Sequence, residues 1–191
     1  MNITKTLSVT TRKQWRSWLT KNYASSPEIW LVFYLKNSSK QGLSYNDAVE
    51  EALCFGWIDS MVKKLDQQRK VQRFSPRKPR SFLSEMNKER VRRLLQAGLM
   101  TSVGLESIKK FVHYGSGGKI EVEHFVMPGD IIAALKRDKT AWKNFIAFPE
   151  YYKNIRVGFI EGARKRPLEF KKRLGNFLKM TARNKRFGML Q

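Results

Sequence analysis

A chain of 191 residues with 41% hydrophobic and 12% aromatic side chains has apolar surface enough for one ordinary domain, or one domain with a helical appendage, which excludes wholesale disorder. Its 38 Lys and Arg against 16 Asp and Glu give a formal net charge of +22, and self-repulsion of that size favours counter-ions or an anionic partner. A polyanion such as nucleic acid, or an anionic small ligand, is the expected partner class. No window approaches the ~18 consecutive apolar residues that span a bilayer. The start, Met1-Asn2-Ile3-Thr4-Lys5-Thr6, lacks the apolar core of an export signal. One cysteine, Cys54, cannot make an internal disulfide, and these features together lead us to expect a cytoplasmic protein.

Thr6-Leu7-Ser8-Val9 reads as a short strand. Thr10 or Thr11 then caps a helix whose Trp15, Trp18 and Leu19 follow i, i+3, i+4 spacing, and Ser25-Ser26-Pro27 breaks it. The run Ile29-Trp30-Leu31-Val32-Phe33-Tyr34-Leu35 is apolar, β-branched and aromatic throughout, and predicts a central strand buried on both faces. After a polar loop over 37–42, Ser44 caps a second helix with Asp47 in the capping-box position. Ala48, Leu53 and Cys54 form its packing side and Gly56 ends it. Strands over about 57–65 and 71–75, joined by a turn at Asp66-Gln67-Gln68, complete a small mixed sheet.

Beyond the sheet the pattern turns helical. Ser84 caps a helix carrying Val91, Leu94 and Leu95, stopped by Gly98, and another covers about 101–114. Gly115-Ser116-Gly117-Gly118 is the clearest break, and the stretch to Met127 reads as a linker or a short hairpin. Pro128 opens a helix through Leu135. Later helices run through 142–145, through 151–163 with Tyr152, Ile155, Phe159 and Ile160 on one side, and from Pro167 to about Met180 with Phe170, Leu174, Phe177 and Leu178 on one side. The expected fold is α+β. A small mixed β-sheet with packed helices fills 1–114, a glycine-containing linker covers 115–127, and a basic helical module fills 128–191.

Several strings are distinctive: Glu51-Ala52-Leu53-Cys54-Phe55-Gly56-Trp57-Ile58-Asp59, Arg73-Phe74-Ser75-Pro76-Arg77-Lys78, Asn87, and Gly98-Leu99-Met100. The second half adds Pro128-Gly129-Asp130, Ala134-Leu135, Phe148-Pro149 with Tyr151, and Ile160-Glu161-Gly162-Ala163-Arg164. In these motifs the chain resembles the YdeI/OmpD-associated family, also called bacteriocin-protection proteins, over nearly its whole length. The resemblance implies an α+β N-terminal region, a helical C-terminal module and no established enzymatic activity. The family name implies envelope stress, an envelope porin as partner, and resistance to antimicrobial peptides. Two positions depart from the family pattern: Thr101-Ser102 stands where proline is expected and Leu83 where tryptophan is expected, and both read as structural.

The chemistry centres on Glu51, Asp59, Arg73 and Arg77. A carboxylate near a guanidinium can anchor a small anionic or amide ligand, with Trp57 as a stacking face and Ser75, Lys78 and Arg80 adding contacts. Strand register decides whether they meet. A two-residue turn at Gln67-Gln68 sets Met61 opposite Phe74 and sends Asp59 and Arg73 to opposite faces; a three-residue turn sets Asp59 opposite Arg77 and allows a bidentate pair. An Asp59–Arg77 pair is equally a structural salt bridge at the sheet edge.

Cys54 on a helix end between Leu53 and Phe55 reads as a small buried hydrophobe rather than a nucleophile served by His113 or His124. One cysteine and two histidines match no zinc spacing, so neither metal nor cofactor is expected. Gly115-Ser116-Gly117-Gly118-Lys119 lacks the Ser or Thr and the following helix of a phosphate-cradling Walker loop. The segment from Arg164 is strongly basic, with Glu169 its one acid, and Arg164, Lys165, Arg166, Lys171, Lys172, Arg173, Lys179 and Arg183 are candidate phosphate contacts. No sequence-reading nucleic-acid motif accompanies them. The reading is a non-catalytic binding protein. The alternatives are a small-molecule binder or enzyme with a pocket around Glu51, Asp59 and Arg73, and a non-specific nucleic-acid binder acting through the basic C-terminal helices.

Overall fold

The computed structural model describes residues 2–35, 38 and 42–188. Of the polar loop expected over 37–42, all but Ser38 and Gly42 lies outside the described residues. The chain divides into two compact units, one of Met1–Phe82 with Arg90–Val122, the other of Leu83–Glu89 with Glu123–Gln191. The fold is α+β, and its second half is helical.

In the first unit, β1 (Thr6–Leu7), β2 (Ile29–Tyr34), β3 (Trp57–Lys64) and β4 (Arg69–Pro76) form a mixed sheet in the order β1-β2-β4-β3. β1 runs parallel to β2, and the other pairs are antiparallel. The apolar run that predicts a central strand is one: Ile29, Trp30, Leu31, Val32 and Phe33 are all buried. Trp30, Val32 and Val71 pack with Ile3 on one face. The other face carries α1 (Arg12–Asn22) and α2 (Tyr45–Cys54), with Trp15 edge-on to Phe74 and Phe33 edge-on to Tyr45.

Local chemistry sets the helix ends. Thr11 and Gln14 form a full capping box on α1. On α2, the Ser44 Oγ accepts from the Asp47 N–H (3.0 Å) and donates to the Asp47 carboxylate (2.7 Å). Gly56, at φ +71°, turns the chain from α2 into β3, a conformation that favours glycine. Asp66 shapes the β3–β4 turn by accepting from the N–H groups of Gln68 (2.8 Å) and Arg69 (2.7 Å).

The register of β3 on β4 matches neither expected alternative. Val62 lies opposite Gln72, but an irregularity between Asp59 and Val62 shifts the ladder, so that Asp59 lies opposite Phe74 and Trp57 opposite Pro76. Such a bulge puts an extra residue into one strand and re-aims its side chains.

The first unit continues through α3 (Glu85–Gln96), whose residues from Arg90 onward belong to it, and α4 (Ser102–Ser107). The Cys54 carbonyl approaches α4 closely enough that a Cβ on Gly104 would stand 2.2 Å from that oxygen. The glycines at 115–118 form the connection of a hairpin between β5 (Val112–Tyr114) and β6 (Ile120–Val122).

The second unit holds α5 (Gly129–Lys136), α6 (Lys139–Ala147), α7 (Glu150–Glu161) and α8 (Pro167–Ala182). Asp138 caps α6 by accepting from Thr140 and Ala141 N–H, and Pro167 opens α8. Ile131, Leu135, Phe145, Phe148, Tyr152, Val157, Ile160 and Phe177 make its core. Phe159, expected on the packed side of α7, is instead 48% exposed. Guanidiniums of Arg156 and Arg173 cover its ring, at 5.0 and 3.8 Å from the centroid. Among the described residues, no helix is long and apolar enough to cross a membrane.

Candidate anion-binding site

The bulge in β3 leaves Asp59 on the helix-bearing face of the sheet, with Phe74 and Gln72. Its Oδ2 accepts from the Tyr45 hydroxyl (2.8 Å), at the first turn of α2, and from the Gln72 Nε2 (3.1 Å), which also donates to the Ser60 carbonyl (3.1 Å). Burial, followed by the neighbouring Asp59 charge, pushes the Tyr45 phenol well above its ordinary range, so it stays a neutral donor.

Two guanidiniums lie within electrostatic reach of the same carboxylate. Arg90, from α3, is buried and donates through Nη2 to the Asn46 Oδ1 (2.7 Å). Arg77 follows β4, and its backbone N–H donates to the Gly56 carbonyl (2.8 Å), continuing the strand's hydrogen bonding. Its side chain is only 9% exposed. Nη1 donates to the Phe82 carbonyl (3.2 Å), while Nε and Nη2 are buried and have no hydrogen-bond partner among the described residues. Burial lowers the pKa of both arginines, and Asp59 opposes that lowering. Glu50 also acts on Arg90, but its carboxylate is bonded to Arg12 and Arg93. Two buried donor nitrogens of Arg77 with no partner among the described residues are a costly arrangement in a desolvated site unless something accepts from them.

The other residues singled out from sequence go elsewhere. Glu51 is 2% exposed and accepts from Arg12 and Arg16, so it forms an ion-pair network between α1 and α2. Trp57 is 1% exposed, donates to the Tyr23 carbonyl (3.2 Å) and stands edge-on to Trp18, so its ring serves the core. Arg73 projects from the opposite face to Asp59, pairing with Glu28 and donating to the hydroxyls of Ser60 and Ser75, both at 3.3 Å. Lys78 and Arg80 are exposed. The structure therefore brings Asp59 and Arg77 to one neighbourhood without a direct hydrogen bond, and parts both from Glu51 and Arg73.

Sequence reasoning missed Tyr45, Gln72 and Arg90. A signal existed for two of them. Arg90 stands beside Val91 and four residues before Leu94, on the apolar stripe of α3, and Gln72 takes an inward position opposite Leu31. A polar residue where the period calls for an apolar one marks a buried polar site.

Cys54 is buried, and burial followed by the Glu51 charge pushes its thiol up to about 11. His113 is on β5 beside Glu121 (3.5 Å). Among the described residues, no group of three or more His, Cys, Asp or Glu could hold a metal ion.

In the second unit, two of the eight basic candidates are bound into the fold. Arg164 pairs with Asp130 and Glu161 (2.6 Å each) and stacks on Phe170. Arg173 pairs with Glu169 (2.7 Å) and donates to the Phe159 carbonyl (2.7 Å). Lys165, Arg166, Lys171, Lys172, Lys179 and Arg183 are exposed.

These features define a two-unit α+β protein with a buried, incompletely hydrogen-bonded arginine in its first unit. Residues 7–107, more than half the chain, match the family model described as Domain of unknown function (DUF8412), and the chain belongs to that family. Residues 124–184 match the model described as Bacteriocin-protection, YdeI or OmpD-Associated, the family recognised in the sequence. The motifs from Pro128 to Arg164 lie within that second match, and those from Glu51 to Met100 within the first. Neither a curated protein nor a solved structure matches the chain significantly.

Proposed function

We propose that this is a non-catalytic cytoplasmic binding protein whose first unit takes a small anion at Arg77, beside Arg90, Tyr45 and Asp59. The observation that carries the reading is the buried Arg77 guanidinium, two of whose donor nitrogens have no partner among the described residues. Guanidinium forks suit carboxylate and phosphate oxygens, and an anion there would accept from both open donors. The test is the melting temperature of the full chain in rising inorganic phosphate or acetate, against sodium chloride at matched ionic strength. Binding raises it by mass action. Arg77→Met should lose the rise, and an equal rise in both proteins would remove the reading.

The name of the family matched at 124–184 supports a role in bacteriocin or antimicrobial-peptide resistance. Survival of a bacterial host with and without the chain under bacteriocin challenge tests it, equal survival being the negative result.

A second reading, non-specific polyanion binding, is favoured by the exposed cations on and around α8. Anisotropy of labelled nucleic acid across salt concentrations checks it, with heparin as competitor. A log–log slope of about −0.9 per phosphate contacted and a preference over heparin would support it.

A further inference from the structure

The second unit holds a cleft between α7 and α8, flanked by Phe187 from the segment after α8, and it is separate from the Arg77 site. Its volume is about 160 Å³, and its apolar wall comes from Phe159, Ile160, Phe177 and Phe187. An apolar cavity of roughly 150 Å³ holds one benzene-sized ring.

The charged groups in this lining are unequal. Glu169 is taken by Arg173. Arg156 is only 7% exposed, its guanidinium stands 5.0 and 4.5 Å from the ring centroids of Phe159 and Phe187, and it donates through Nη1 to the Phe187 carbonyl (3.0 Å). It has no carboxylate partner among the described residues. Burial lowers its pKa, Tyr152 opposes that lowering, and the Arg173 charge adds to it. Lys172, also lining the cleft, is exposed. A buried cation without a carboxylate partner favours an anionic occupant, and the apolar wall favours one that carries a small hydrophobic group. A bare phosphate would leave the apolar wall in contact with water, while a ring bearing one carboxylate answers both the wall and the guanidinium.

We infer that the cleft between α7 and α8 binds a single-ring aromatic monocarboxylate, with Arg156 as its carboxylate anchor and the apolar wall of the cleft against its ring.

The test is calorimetric titration of the full chain carrying Arg77→Met, which removes the other candidate anion site from the readout. Benzoate is the probe, acetate controls for charge without a ring, and benzamidine for a ring of opposite charge. Benzoate should bind with a Kd of about 1 mM or tighter, with acetate and benzamidine at least about tenfold weaker. Asn176→Phe, at an exposed position lining the cleft, should abolish benzoate binding while leaving the melting temperature nearly unchanged. Arg156→Lys keeps the charge but loses the fork, and should weaken binding about tenfold. Benzoate binding no better than acetate, or unchanged by both substitutions, would overturn the inference. Loss of the phosphate response at Arg77 would leave it standing.

Discussion

The hydroxyl of Thr101 donates to the main-chain carbonyl of Cys54, whose helix has just ended, and accepts the N–H of Gly104 at 3.1 Å, so one side chain closes α2 and opens α4. The Thr101 N–H donates to the same carbonyl at 3.3 Å. A proline, expected here from the family pattern, has neither the N–H nor the hydroxyl for this junction. Thr101→Val should cost about 1–2 kcal/mol in urea unfolding, the range for a lost N-cap. Gly104→Ala should cost about 1–3 kcal/mol by overpacking, because the Cys54 oxygen that its Cβ would meet belongs to the backbone. Wild-type midpoints for both variants would show that this contact carries no stability.

Cys54 should behave as a reporter of unfolding. With its thiol raised to about 11 and its side chain buried, it holds almost no thiolate at neutral pH. Iodoacetamide should leave the native chain unlabelled at pH 7.5 and label it fully in denaturant. Rapid native labelling would contradict the packing around α2.

Acid stability should depend on Glu28. The Thr4 hydroxyl (2.6 Å) and Arg73 hold its carboxyl below the ordinary range. A lowered folded-state pKa contributes stability that is present above the unfolded value of about 4.3 and disappears as pH falls through the lower folded value. Glu28→Gln should therefore be less stable than wild type at pH 7, with the gap closing below about pH 4. A gap that persisted unchanged to pH 2 would mean that the ionised carboxylate contributes nothing.

Arg77→Met should leave the ligand-free protein as stable as wild type or more so. A well-packed apolar side chain avoids desolvating a guanidinium whose Nε and Nη2 lack partners among the described residues, and such replacements of buried charge are neutral or stabilising by about 1–4 kcal/mol. A large loss of stability in phosphate-free buffer would make Arg77 a structural residue.

Much of this architecture was legible in the sequence because it is written locally. The caps at Thr11 and Ser44, the apolar run at 29–34 and the turn at Asp66 each depend on residues a few positions apart. The β3 register was not legible, since a bulge records competition between two strands over which residues stay in step. Tyr45 and Asp59, fourteen positions apart, meet only because of that bulge and the placing of α2. Phe159 misled the helical period for a different reason: guanidiniums of Arg156 and Arg173 cover its ring in place of the core.

The irregularity in β3 has a second effect, on what the sheet can join. β3 is an outer strand of the four, with one side unpaired within the sheet. A straight, apolar border would be a template for intermolecular strand addition, and Met61 and Val62 are exposed there. The break in step between Asp59 and Val62, followed at once by Lys63 and Lys64, twists and charges that border. The same distortion that aims Asp59 inward thus also breaks the straight edge that strand addition would need.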